Sequence, residues 1–137
     1  MNSWSDLIPR DLMARASLRG KEHAWPVADI PAVIRALEAA GIVNAGGQLQ
    51  LRIPEGGTCE CHWIEVDTSS VGSDLHWADR VAVTAIAAHE QFEKLCRDYE
   101  FVAEVRSAFP EEVRSFDETG GDVSSHLCFV WYGKAAG

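Results

Sequence analysis

The chain lacks any apolar run long enough to cross a bilayer, which takes about 20 residues. Val81 to Ala88 is the longest, and Thr84 interrupts it. An apolar leader is also missing: Met1–Gly20 carries Asp6, Arg10, Asp11, Arg15 and Arg19, the opposite of a secretory signal. A cytoplasmic protein with no membrane segment is therefore expected. Basic residues are scarce, 12 Lys and Arg against 21 Asp and Glu, a net charge of -9. Such a surface cannot neutralise phosphate backbones, which excludes nucleic acid as a partner. Cysteines number four, and without a secretory leader they are expected as reduced thiols and not as a disulfide framework.

What is present describes a folded chain. A hydrophobic content of 47%, a charged content of 24% and a mean hydropathy of -0.10 exclude a disordered polymer. A length of 137 residues suits one domain, 1–137, that buries about two thirds of the surface of its unfolded chain. The charge is unevenly spread: residues 1–53 hold six basic and five acidic groups (+1), residues 54–137 six basic and sixteen acidic (-10). The acidic half attracts basic partners in a way that salt screens.

Periodicity sets the expected elements. Residues 1–24 read as a short helical arm, with Leu12, Met13 and Ala16 as a thin apolar stripe before Gly20. Over about 29–40, Ile30, Val33, Ile34, Leu37 and Ala40 recur at helical spacing, with Asp29 at the N-cap, Pro31 in the first turn and Gly41 at the C-terminal cap. The period then drops to two: Leu49, Leu51 and Ile53 alternate with Gln48, Gln50 and Arg52. Pro54-Glu55-Gly56-Gly57 is turn chemistry and Cys59–Val66 a second strand, so about 47–66 is expected as a hairpin. From about 76 to 104 a long amphipathic helix is expected, carrying Trp77, Val81, Ala85, Ala88, Phe92, Leu95, Tyr99 and Val102 on one face. A short helix start at Phe109–Glu112, a loop over Asp117–Ser125 and a last strand over His126–Tyr132 complete the chain. The fold class expected is α+β, a small antiparallel sheet with a central hairpin packed against amphipathic helices.

Residue constellations favour binding over catalysis. Cys59, Cys61 and His62 make a Cys-x-Cys-His cluster, but it lies inside a strand and lacks the second ligand pair of a structural zinc site. His89-Glu90-Gln91-Phe92-Glu93 has Glu93 where a zinc-protease helix needs its second His. Ser124, Ser125, His126 and Asp122 have no nucleophile elbow around them. Gly46-Gly47 and Gly56-Gly57 precede no helix start and read as turn residues. No cofactor and no metal is expected. Regular alternation places Trp63 with Cys59, Cys61 and Glu65 on one side of the strand, and His62, Ile64 and Val66 on the other. Ile64 and Val66 mark the second side as core, which leaves Trp63 either turned outward beside Glu65 and Glu55 or packed under the long helix. An exposed Trp among carboxylates suits a hot spot for a cationic protein.

Residues 25–66 also carry a resemblance. Trp25, Asp29 and the helix up to Gly41 lead through Ile42-Val43-Asn44-Ala45-Gly46-Gly47 into the strand Gln48–Ile53, followed by a turn, Trp63, and the acidic strand end at Glu65 and Asp67. This resembles immunity-protein family forty of bacterial polymorphic toxin systems, in which a Trp-led helix runs into a Gly-Gly-Asp strand with an aromatic-rich strand after it. The chain departs from that pattern at Gln48, where the family has Asp. The resemblance implies a protein-binding role without catalysis, the partner being a basic toxin domain.

The leading expectation is thus a non-catalytic, cytosolic protein-binding domain that meets its partner through an acidic surface. Its candidate contacts are Trp63, Glu65 and Asp67 at the hairpin end, with Asp117, Glu118 and Asp122 as a second acidic cluster. The alternative is a small ligand- or metal-binding protein or enzyme using His62, His89 or His126. A homodimer through an exposed sheet edge is a further arrangement left open.

Overall fold

The computed structural model describes residues 3–54 and 56–137, so Glu55 of the hairpin turn lies outside the described residues. After a 3-10 turn at Trp4–Leu7 come α1 (Arg10–Met13), β1 (Ser17–Arg19), β2 (Glu22–Pro26) and α2 (Ile30–Ala39). Then follow β3 (Val43–Arg52), β4 (Thr58–Asp67), α3 (Trp77–Asp98), α4 (Phe101–Ala108), α5 (Pro110–Glu118), α6 (Val123–His126) and β5 (Leu127–Lys134). The five strands form one antiparallel sheet in the order β1-β2-β5-β3-β4, with helices packed against it. The class is α+β. No helix among the described residues is long and apolar enough to cross a membrane.

The core lies between one sheet face and the helices α2, α3, α4 and α5. Leu49, Leu51, Ile64, Val66, Phe129 and Trp131 from the sheet meet Ile34, Leu37, Ala88, Phe92, Val105 and Val113 from the helices. Trp25 and Trp131 are fully buried, and each removes roughly 200 Å² from water, an upper bound of about 5 kcal/mol per ring. The helix α2 ends as its sequence predicts: Gly41 adopts φ 74°, Ile42 N bonds Leu37 O at 2.9 Å and Gly41 N bonds Glu38 O at 3.1 Å, a Schellman cap. Asp29 sits at the N-cap but its side chain makes no cap bond; it pairs with Arg15 instead.

Four expectations need correction. Among the described residues the helical arm over 1–24 reduces to the 3-10 turn Trp4–Leu7 and the single turn α1; Ser17–Pro26 is a hairpin closed by Gly20-Lys21, with Gly20 at φ 61°. Two short strands carry too few residues to display a period, but a two-residue Gly turn is itself a hairpin signal. The long helix over 76–104 breaks at Tyr99, whose backbone is extended, and Glu100 caps α4 by accepting from Ala103 N at 2.6 Å. Gly46 and Gly47 are not turn residues: they lie buried inside β3, where a Cβ on Gly47 would stand 1.8 Å from Val130 O. The register of β3 on β4 also slips, passing from Leu49–Cys61 directly to Gln48–Glu65. The extra residues reverse the alternation, so Cys59 and Cys61 face the core together with Ile64 and Val66, and His62 turns outward.

Candidate functional site

The bulge sets the position of Trp63. At 45% exposure it is one of the few large apolar side chains left at the surface. Its indole N–H donates to Glu104 Oε1 at 3.0 Å and its ring stacks on Phe109 at 6.4 Å. The strand therefore presents its aromatic residue to Glu104 of α4 and to Phe109, at the start of α5. Glu65 and Asp67 continue β4 beyond it, both exposed. Asp67 accepts from Ser69 N at 3.1 Å and Ser69 Oγ at 2.7 Å, and these bonds hold its carboxyl below the usual range.

The second acidic group stands at the other end of β4. Asp117 pairs with Arg106 at 2.8 Å, and Glu118 is exposed at the end of α5. Asp122 caps α6, accepting from Ser124 N, Ser124 Oγ and Ser125 Oγ, which lowers its carboxyl pKa. Asp117 and Glu118 thus belong to a helix and Ser124–Ser125 to a helical turn, where a loop was expected. The turn after α5 shares a groove of about 700 Å³ with the β3–β4 turn. Trp63 leans on α4 and Phe109, whereas Glu65, paired with Gln48, faces the helix-free side of the sheet near Asp67. Asp117 is tied to α4 through Arg106, with Glu118 and Asp122 further along the chain.

A different arrangement occupies the sheet face that carries no helix. Gln48, Gln50 and Arg52 project there from β3, beside Ala24, Cys128 and Val130 of the neighbouring strands. Gln50 is fully buried and Arg52 only 5% exposed. Arg52 Nε donates to Gln50 Oε1 at 3.0 Å, Nη1 to Ser17 O at 2.7 Å and Ser17 Oγ at 3.0 Å, and Nη2 to Glu22 O at 3.1 Å. Gln50 Nε2 passes the network on to Glu60 Oε1 at 3.3 Å, and His62 touches Glu60 Oε2 at 3.6 Å. In a flat sheet β1 and β3 would stand about 14 Å apart, beyond the length of any side chain. The Arg52–Ser17 bonds therefore require the β1–β2 hairpin to curl over this face. Arg19 on β1 extends the curl by donating to Thr58 Oγ1 at 2.8 Å and Ile53 O at 2.6 Å at the far hairpin turn.

The curl encloses a cavity of about 280 Å³ lined by Arg15, Arg19, Arg52, His126, Ser17 and Ser125. Ala24, Leu127 and Cys128 supply apolar surface, and no Asp or Glu among the described residues lines it. Burial pulls the Arg52 guanidinium below its ordinary pKa and, with the Arg52 charge, lowers His23. The sequence reading missed these arginines as a site; the one available signal was the +1 balance of residues 1–53 within a chain of -9.

The three histidines of the alternative reading are dispersed. His62 is on the open sheet face, His89 is half-buried on α3, and His126 packs edge-on against Phe116 at 5.3 Å while lining both the cavity and the groove. No group of three potential metal ligands occurs among the described residues. Comparison of the chain with protein-family profiles, with curated proteins and with solved structures yields no match.

Proposed function

We propose that this chain is a binding protein without catalysis of its own, which docks a basic protein surface on the side marked by Trp63, as an immunity protein covers its toxin. The observation that carries the reading is the setting of Trp63: about half exposed, its ring held by Phe109 and Glu104, with Glu65 and Asp67 further along the same strand. A pre-positioned Trp loses little side-chain entropy on docking, and such residues dominate binding energy at interface centres. The surrounding carboxylates speed the approach of a cationic partner. Asp117, Glu118 and Asp122 form a second acidic contact at the other end of β4.

The test is a pull-down from the native host at low and moderate salt, followed by titration of the recovered partner. The expected partner is a single stoichiometric basic protein whose capture weakens with salt. Glu65→Lys with Asp67→Lys is expected to slow association, and Trp63→Ala to weaken binding by roughly tenfold or more, mostly through faster dissociation. Binding to the recovered protein that none of these changes alters would overturn the assignment of this side.

A further inference from the structure

We propose that the cavity under the β1–β2 hairpin is a binding site for a small phosphate monoester. It stands apart from the Trp63 side and does not depend on the docking reading.

Three observations converge. The chain is strongly acidic, yet this cavity brings three guanidinium groups together with no carboxylate of the described residues lining it. Arg15 alone among the three is paired, with Asp29. Arg52 is almost wholly buried and bonded only to neutral oxygens. A buried charge is costly unless an opposite charge faces it. No acid pairs with this guanidinium directly: Glu22 gives Arg52 its backbone oxygen and its charge acts only through space, its carboxylate taking the Tyr132 hydroxyl, and Glu60 is one amide away, beyond Gln50. Two guanidinium charges without an acidic partner among the described residues match the charge of a phosphate monoester, and the planar Arg fork matches its oxygens.

Donors remain to make the contact. The four bonds of Arg52 leave one of its five N–H groups, on Nη2, without a partner among the described residues. Ser17 Oγ accepts from Arg52 and keeps its own proton to donate. Arg15, tied to Asp29 through one nitrogen, stands at the rim with its side chain 61% exposed. The volume of about 280 Å³ suits a metabolite-sized molecule, and Ala24 and Leu127 give its organic part an apolar wall.

The experiment titrates the intact chain with phenyl phosphate, inorganic phosphate, benzoate and phenol at constant ionic strength, followed by calorimetry and by residue-resolved NMR that includes the arginine Nε–H signals. Phenyl phosphate is expected to bind one-to-one and more tightly than benzoate. Its shifts should cluster at Ser17, Arg19, Arg52 and Cys128, and phenol should leave them unmoved. Arg52→Gln removes the bonds that hold β1 over the sheet, and Arg19→Gln those that tie it to the β3–β4 turn. Arg19→Gln carries the mutational test because Arg52 still holds the hairpin, unchanged Ser17 and Arg52 signals in the free variant being the folding check. It is expected to weaken phenyl phosphate by roughly tenfold. Benzoate binding as tightly as phenyl phosphate would overturn the phosphate assignment. Shifts spread over surface arginines such as Arg97 and Arg114, no saturation, or an unchanged affinity in Arg19→Gln would overturn the site.

Discussion

Trp131 donates its indole N–H to the side-chain oxygen of Asn44 at 2.8 Å, and neither residue exposes any surface. Asn44 is a junction of the fold. Its amide nitrogen reaches Ile34 O on α2 at 3.3 Å, its backbone N–H bonds Thr84 Oγ1 on α3 at 3.2 Å, and its carbonyl accepts from Thr68 Oγ1 at 2.6 Å. One asparagine thus ties β3 to both large helices, to the loop after β4 and to β5. In a low-dielectric core such bonds cost most when half of a pair is removed. Asn44→Leu keeps the branched shape, adds some bulk and leaves the Trp131 N–H without its acceptor, so a loss of about 3 kcal/mol is expected. Urea unfolding would measure it, and a loss smaller than about 1 kcal/mol would show that the junction is dispensable.

Gly47 has no room for a side chain. A Cβ there would stand 1.8 Å from Val130 O and 2.7 Å from the Trp131 ring, so Gly47→Ala must part β3 from β5 at the centre of the sheet. Gly57, in the hairpin turn, has nothing within 4 Å of its Cβ position and no positive φ. Gly47→Ala is expected to cost about 3 kcal/mol or more, and Gly57→Ala about 0.5 kcal/mol or less in either direction. Equal unfolding midpoints for the two variants would contradict the close packing of β3 on β5.

The elements that proved legible were those whose periodicity and caps agreed over many residues. The Ile30-Val33-Ile34-Leu37 stripe with Pro31 and Gly41 placed α2 almost to the residue, and the alternation of Leu49 and Leu51 with Gln48 and Gln50 placed the second half of β3, whose start at Val43 runs through the glycines read as a turn. The β4 bulge escaped because its cause is tertiary: nothing in Cys-His-Trp-Ile says that two core residues will be followed by a slip and then two more. The exposure of Trp63 stayed open in the sequence, because regular alternation turns it outward while its size suits packing under a helix equally well, and the bulge that decides it is invisible there. The curl that buries Arg52 escaped for a related reason. Its partners Ser17 and Glu22 lie 35 and 30 residues away in sequence, and an alternating Gln and Arg face reads equally well as solvated surface.

Thiol accessibility follows from the same packing. Cys59, Cys61 and Cys128 are buried and Cys96 is exposed on the outer side of α3. A colourimetric thiol reagent at neutral pH is expected to titrate one group in the native chain and four after denaturation. Rapid reaction of two or more native thiols would show that the core around Cys59 and Cys61 opens more readily than its burial indicates.

The buried thiols also give the fold an alkaline limit. Burial, with the charges of Cys59 and Glu104 adding to it, pushes Cys61 up to about 11 from an ordinary 9.0. Burial likewise pushes Cys128 up to about 11 against the opposing pull of Arg52 and Arg19. Both pKa values are raised in the fold, so the native chain holds protons that the unfolded chain releases. The stability that this represents is fully present below about pH 9, is lost as pH rises toward about 11, and changes no further beyond that. Each thiol contributes on the order of 2 kcal/mol to the decline. Lysine and tyrosine titrations overlap this window, so the informative quantity is the difference between the parent and a Cys61→Ala, Cys128→Ala variant. Urea unfolding at about pH 8 and about pH 10.5 is expected to show the parent losing more stability than the variant. Parallel losses in the two proteins would mean that the thiols ionise as easily folded as unfolded, and that water reaches the strands they sit on.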